Sequence, residues 1–286
     1  MATTLKIGMA QLLVEGGEPQ RNLSRAEKMV REAAEKGCDI VLLPECLDLA
    51  WTHPSVLSEA LPIPGQYSDI FSRLARECKI YICAGLTEKS PDHKIYNTAI
   101  FIDPNGTIIH KYRKINLLSV ELPFYEVGQS LSVVNTPMGV IGINICADNY
   151  QDSLVSGHLL ARMGAQIILS PSSWTVDYSI NESQDPYKEK WIQPYSILAK
   201  LYNLVIVGTT SVGVIVGGPY EGKKMIGCSL AVGGEGIIAK GPFLEFAGEL
   251  VIAECDVPQR KEKGTAIGDM LKEKGFQFEY NMSLKI

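Results

Sequence analysis

The chain has 286 residues, of which 46% are hydrophobic and 21% charged, a globular balance that excludes a disordered or fibrous protein. Its 27 Lys and Arg against 32 Asp and Glu leave a formal charge of −5, so the surface lacks the basic excess that nucleic acid binding requires. A chain of this size buries a full core without disulfide or metal staples.

In chain order, Met1–Lys6 leads directly into a strand-like run without a charged head or an apolar h-region. With seven cysteines and no C-x-x-C pair, this predicts reduced thiols and a cytoplasmic protein. β-Branched runs predict strands over Lys6–Val14, Asp39–Pro44, Ile80–Leu86, Tyr96–Asp103, Val140–Cys146, Gln166–Ser170, Leu204–Val216 and Leu250–Cys255. Amphipathic spacing predicts helices over Asn22–Lys36, capped by Asn22 and ended by Gly37, and over Gln66–Lys79 and Ser153–Met163. A fourth helix is expected over Tyr187–Tyr202, kinked at Pro194. Turn residues at Asp103–Gly106 and Gly233–Gly236 mark hairpins. Helix-linked and hairpin-linked strands together point to mixed sheets faced by helices. The charge-free stretch from Asn203 to Tyr220 is too short and too polar for a membrane span, so no membrane partner is expected. One domain over 1–286 is expected, its core at about 5–256, with a charged arm over Lys261–Ile286 lying across the surface or a partner subunit.

Three strand exits carry reactive groups. Val41-Leu-Leu-Pro-Glu45 ends an apolar run in a carboxylate; partial desolvation there raises the pKa and suits a general base, although a loop-capping carboxylate has the same appearance. Lys111-Tyr-Arg-Lys114 reads by itself as a solvated face. Gly139-Val-Ile-Gly-Ile-Asn-Ile-Cys146 delivers a cysteine to a strand-to-helix turn, where backbone N–H groups favour a thiolate and an oxyanion; a buried free cysteine is the alternative.

Taken together, Leu43-Pro44-Glu45, Tyr112-Arg113-Lys114 and Gly142-Ile143-Asn144-Ile145-Cys146-Ala147-Asp148 resemble the nitrilase superfamily of carbon–nitrogen hydrolases. Gly8-Met-Ala-Gln11, Tyr96-Asn97-Thr98-Ala99, Gly164–Pro171 and Gly227-Cys-Ser229 add to the resemblance, which covers roughly residues 5–256. It implies an α/β fold, a four-layer αββα sandwich of two mixed β-sheets with outer helices, assembled as a homodimer or larger homo-oligomer. It implies Cys146 as nucleophile, Glu45 as general base and Lys114 as the cation facing the oxyanion. A fourth acid falls at Glu121, seven residues before Gly128, with Glu126 as its competitor. The implied activity needs no cofactor: hydrolysis of a small amide or N-carbamoyl compound through a thioester. Nitrile hydrolysis, acyl transfer to another acceptor and a catalytically silent binding module are the alternatives.

The sequence departs from the family pattern beside the cysteine, where Ala147, Asn149 and Tyr150 stand in place of an aromatic and an Arg-Phe-Pro-Glu run, so these three are expected at the substrate. Trp174 is expected as a pocket wall or lid, or else as a surface-packed indole, and the acidic 177–189 loop as a feature favouring a cationic amine. Trp51 and His53 are within reach of the pocket. Gly217–Lys224 only approximates a phosphate-binding loop, and the four histidines have no metal-ligand spacing, so no metal is expected.

Overall fold

The computed structural model describes residues 4–259 and 263–276. Its elements in chain order are β1 (Thr4–Gln11), α1 (Pro19–Glu35), β2 (Ile40–Leu42), α2 (Val56–Glu59), α3 (Gln66–Cys78), β3 (Tyr81–Lys89), β4 (Ile95–Ile102), β5 (Ile108–Arg113), β6 (Val133–Thr136) and β7 (Gly139–Ile143). There follow α4 (Val155–Arg162), β8 (Ile167–Ser172), β9 (Thr175–Val176), α5 (Gln193–Tyr202), β10 (Val205–Thr210), β11 (Val212–Val214), β12 (Lys224–Ile226), β13 (Leu230–Gly233), β14 (Gly236–Lys240), β15 (Glu249–Asp256) and α6 (Ala266–Glu273).

Two six-stranded sheets run in the orders β15-β1-β2-β3-β4-β5 and β14-β13-β10-β8-β7-β6. Each has a parallel centre with antiparallel flanks, so both are mixed. Period-two alternation sorts the side chains. Ile40, Leu42, Ala99 and Phe101 join Ile141, Ile143, Ile167 and Leu169 of the second sheet in one inner core. Their neighbours Val41, Leu43, Ile100 and Ile102 face outward onto Leu23, Ala26 and Val30 of α1 and Phe71 and Leu74 of α3. Leu160 and Ala161 of α4 with Leu198 and Ala199 of α5 cover the other sheet. The layers are therefore helix, sheet, sheet, helix, as expected.

Several local expectations give way to tertiary demands. The run 204–216 is not one strand: it divides at Ser211 into β10 of the second sheet and β11 of a small three-stranded sheet. The run 39–44 forms a strand only over Ile40–Leu42, because Pro44 has no N–H to extend the ladder. Helix α1 starts at Pro19, a residue suited to the first turn. Asn22 is therefore inside the helix; its amide donates to the carbonyls of Glu15 and Asp48 and so holds two loops. The segment 187–202 is not one kinked helix: a π-turn over Lys188–Ile192 precedes α5, and Pro194 lies in the first turn of α5, where it bends nothing. Within the expected C-terminal arm, α6 packs Ile267 and Leu271 into the core, while 260–262 and 277–286 lie outside the described residues.

Gly85 on β3 marks the closest approach between the sheet and the loop after β2. A Cβ there would lie 2.6 Å from both Glu45 Cα and the Pro44 oxygen. Gly85→Ala is expected to lower the unfolding free energy by about 1–3 kcal/mol in a denaturant titration, since only backbone can yield to the added methyl; an unchanged midpoint would contradict this packing.

Candidate active site

Strand alternation settles the ambiguous basic run. On and just after β5, Lys111 and Arg113 point one way and both bind Glu88, Lys111 at 2.6 Å and Arg113 at 2.8 Å. Tyr112 and Lys114 point the other way, into the inner core, and Lys114 is only 1% exposed. Its Nζ donates to Glu45 Oε1 at 2.8 Å and to both oxygens of Glu121 at 2.9 Å. The two carboxylates come from the loop after β2 and from a turn after β5, and both are buried. Glu121 also accepts from Trp51 Nε1 at 2.7 Å and from the Leu118 N–H at 2.8 Å. Glu126 is exposed and pairs loosely with Lys94, so Glu121 is the acid that reaches the lysine.

Cys146 arrives from the other sheet, at the end of β7, with φ of 43°. A non-glycine residue in that region is strained, as is common at functional turns. The strain is held by Asp148. Its Oδ2 accepts from the Ile145 N–H at 2.8 Å and from the Tyr112 hydroxyl at 2.7 Å, and its Oδ1 accepts from Asn116 N and Nδ2 at 3.0 and 2.8 Å. One carboxylate thus ties the cysteine turn to the segment that carries Lys114.

Burial sets the electrostatics. It pushes the Glu45 carboxyl above the usual carboxylate range, opposed by Lys114 and reinforced by Glu121. Burial also opposes the charge of Lys114, but the Glu121 and Glu45 carboxylates outweigh it and hold its pKa well above the lysine range. Burial pushes the Cys146 thiol well up, and Glu45 pushes it further, against Lys114 and a hydrogen bond from the Ser173 N–H. The thiol is therefore neutral at rest and needs a base. The hydrogen bonds of Glu45 and Lys114 run to each other, to Asn97 and to Glu121; among the described residues none joins either group to the sulfur. Glu45 Oε2 has no partner among the described residues.

Cys146 and Ser173 open onto a cavity of about 120 Å³. Trp51, Tyr150, Trp191 and Tyr220 supply aromatic walls, and Leu118 and Thr175 complete them. Lys190 and Lys223 also line it. Tyr150 lines the cavity, whereas Ala147 and Asn149 are not among its lining residues. Ala147 is buried in the turn. The amide of Asn149 is committed to a reciprocal pair with Asn144, at 2.7 and 2.9 Å, and to Ser170. Trp174 is no lid: it is buried behind Trp191, stacked on it at 4.4 Å between centroids. His53 turns away to Ser55. Within the acidic 177–189 loop, Asp177 pairs with Lys223 and Asp185 with Lys240. Among the described residues no group of three His, Cys, Asp or Glu is placed to hold a metal ion, and no helix is long and apolar enough to cross a membrane.

The sequence reading missed Lys190 and Lys223. Lys190 lies on the π-turn, where the helical face is displaced, and Lys223 on the glycine-rich loop between β11 and β12. It also missed the contact that Asn97 makes with both carboxylates, signalled only by a polar residue on the β4 face that carries Ala99 and Phe101.

Tyr112→Phe removes one hydrogen bond to a buried carboxylate. It is expected to lower the unfolding free energy by about 1.5–3 kcal/mol in a denaturant titration; unaltered stability would show that Asp148 does not brace the turn.

The sequence model described as carbon-nitrogen hydrolase matches residues 6–263. An omega-amidase from Xenopus laevis is 34% identical over 180 residues, 60% of this chain and 64% of the relative, so the match spans just under two thirds of that relative's length. A protein named nitrilase from Pyrococcus abyssi is 34% identical over 180 residues, 61% of this chain and 67% of its own. The crystal structure of a carbon–nitrogen hydrolase from Helicobacter pylori superposes with a TM-score of 0.78 at 20% identity, covering 96% of this chain and 94% of that one.

Proposed function

Since the chain belongs to the carbon–nitrogen hydrolase family, we propose that it hydrolyses the C–N bond of a small amide, with Cys146 as nucleophile, Glu45 as general base and Lys114, held by Glu121, as the cation beside the developing oxyanion. The observation that carries this reading is the buried Glu45–Lys114–Glu121 group behind a cysteine that opens onto a small cavity. The omega-amidase relatives agree with it.

An amide carbon is a poor electrophile, so the attack needs both a thiolate and a place for negative charge. Glu45 takes the thiol proton as sulfur bonds to the carbonyl carbon. The C=O π pair moves onto oxygen, within the field of Lys114. As the tetrahedral adduct collapses, the C–N bond breaks, and protonated Glu45 gives its proton to the leaving nitrogen. Ammonia or an amine leaves, and a thioester remains. Glu45 then takes a proton from water, whose oxygen attacks the thioester; collapse breaks the C–S bond, Glu45 returns that proton to sulfur, and the acid and the thiol are released. A carboxyl raised by burial serves both directions, since it binds a proton more readily than an ordinary carboxylate and can still return it.

Lys190 on the wall favours an amide that also carries a carboxylate, whereas Lys223 is already paired with Asp177. The nitrilase-named relative supports a second reading, a nitrile attacked by the same thiol through a thioimidate. A second copy of the chain is proposed to dock on α4, which turns Val155 and Leu159, 61% and 45% exposed and one turn apart, to solvent.

Ammonia release over amides, N-carbamoyl amines and nitriles is the deciding assay. Cys146→Ala is expected to abolish it, and Glu45→Gln to lower kcat by about 10²–10⁴-fold; release that survives Cys146→Ala would end the proposal. With an amide that carries a carboxylate, Lys190→Ala is expected to raise KM on the order of tenfold, with little change for the corresponding uncharged amide. Equal changes for both would remove the charge argument.

A further inference from the structure

Asn97 lies on β4 and is wholly buried. Its Nδ2 donates to Glu45 Oε1 at 2.7 Å and to Glu121 Oε1 at 3.2 Å. The sense of the amide is fixed by its neighbours, because an amide oxygen turned toward two carboxylates would be repelled. The other end of the group, Oδ1, is buried without a partner among the described residues. An unsatisfied buried carbonyl costs stability, so the value of this side chain lies in its N–H groups.

Those N–H groups divide the Glu45 carboxylate into two unlike oxygens. Oε1 accepts from Asn97 at 2.7 Å and from Lys114 at 2.8 Å. Oε2 is equally buried and accepts from nothing among the described residues. Lys114 alone would not hold this arrangement, since it is shared with both oxygens of Glu121. Asn97 touches Glu45 and Glu121 at once and so also fixes their spacing.

We propose that Asn97 is a positioning residue for the base: together with Lys114 it fixes Oε1 of Glu45, so that Oε2 alone takes the proton from the Cys146 thiol and from the attacking water and returns it. This rests on Glu45 acting as the base. Asn97 reaches the reaction through Glu45 and lies outside the cavity lining. Because its donors favour the ionised carboxylate, their loss makes Glu45 hold its proton to higher pH. The titratable groups that share this field are Lys114 and Glu121 from the segment after β5, Cys46 beside Glu45, and Cys146 and Tyr150 from the segment after β7.

The test is the pH profile of kcat/KM for an amide that the wild-type chain hydrolyses, in Asn97→Leu, Asn97→Ser and Glu45→Gln. Leucine keeps the branched heavy-atom skeleton of asparagine and donates nothing, whereas serine keeps one donor. Asn97→Leu is expected to lower kcat by ten- to a hundredfold, to change KM little, and to move the acid limb up by about one pH unit. Asn97→Ser is expected to fall between it and wild type. Thermal unfolding of each variant separates loss of fold from loss of function, and the serine variant decides the matter if the leucine variant does not fold. A fall in kcat that is the same at every pH, with the acid limb in place, would make Asn97 merely structural and overturn the proposal, as would full activity in both variants. Glu45→Gln separates the two levels of inference. If it keeps both turnover and the acid limb, the base assignment fails and this inference with it. If it loses both while the Asn97 variants keep the wild-type limb, only the role of Asn97 fails.

Discussion

An ammonium group without water must be neutralised where it stands, and the candidate site is built around that requirement. Lys114 is buried, and removing such an ion from water costs several kcal/mol even after relaxation. Glu45 and Glu121 offset the cost, but two carboxylates against one ammonium leave an excess negative charge among buried groups. The surplus is carried by neutral donors: Trp51 Nε1, the Leu118 N–H and Asn97 Nδ2. Each of these comes from a different segment. The charge group therefore forms only when the loop after β2, strand β4 and the turn after β5 are all in place, which links folding of the first sheet to assembly of the site.

Cys146, the proposed nucleophile, belongs to the second sheet. It meets the charge group because the inner faces of the two sheets are apolar and pack together, bringing β2 and β7 to the same core. Packing of this kind positions layers but does not fix a side chain to a fraction of an ångström. Asp148 supplies the finer constraint, with bonds to Tyr112 and Asn116 on one side and Ile145 on the other. A general hydrophobic attraction sets the layers, and a small set of directional bonds sets the register within them.

Architecture was legible in the sequence because two strong periodicities were present: β-branched runs for the strands, and the spacing of Leu23, Ala26, Val30 and Ala33 for α1. The basic run 111–114 hid its meaning, since composition alone cannot say that its first two cations are paired at the edge while its third is buried. Reading it as a strand of period two would have separated them. The cavity wall was less legible still. Asn149, adjacent to the cysteine turn, serves its own backbone corner, whereas Lys190 and Lys223 are 44 and 77 positions beyond Cys146 and reach the cavity only through tertiary folding. Proximity in sequence was a poor guide wherever a turn had its own hydrogen bonds to satisfy.

The π-turn over Lys188–Ile192 has a consequence for how this pocket can change. Such a turn accommodates one more residue than an α-helical turn would. Deleting a single residue there would restore ordinary winding and leave the flanking segments close to their present register, because the turn absorbs its extra residue locally. The wall residues of the turn, Lys190 among them, would be repositioned while the sulfur and its charged neighbours, which lie on other elements, stayed where they are. One wall of the pocket can thus be re-registered by chain length, independently of the reacting groups, so that insertions and deletions become a route to new substrates alongside exchanges of side chain.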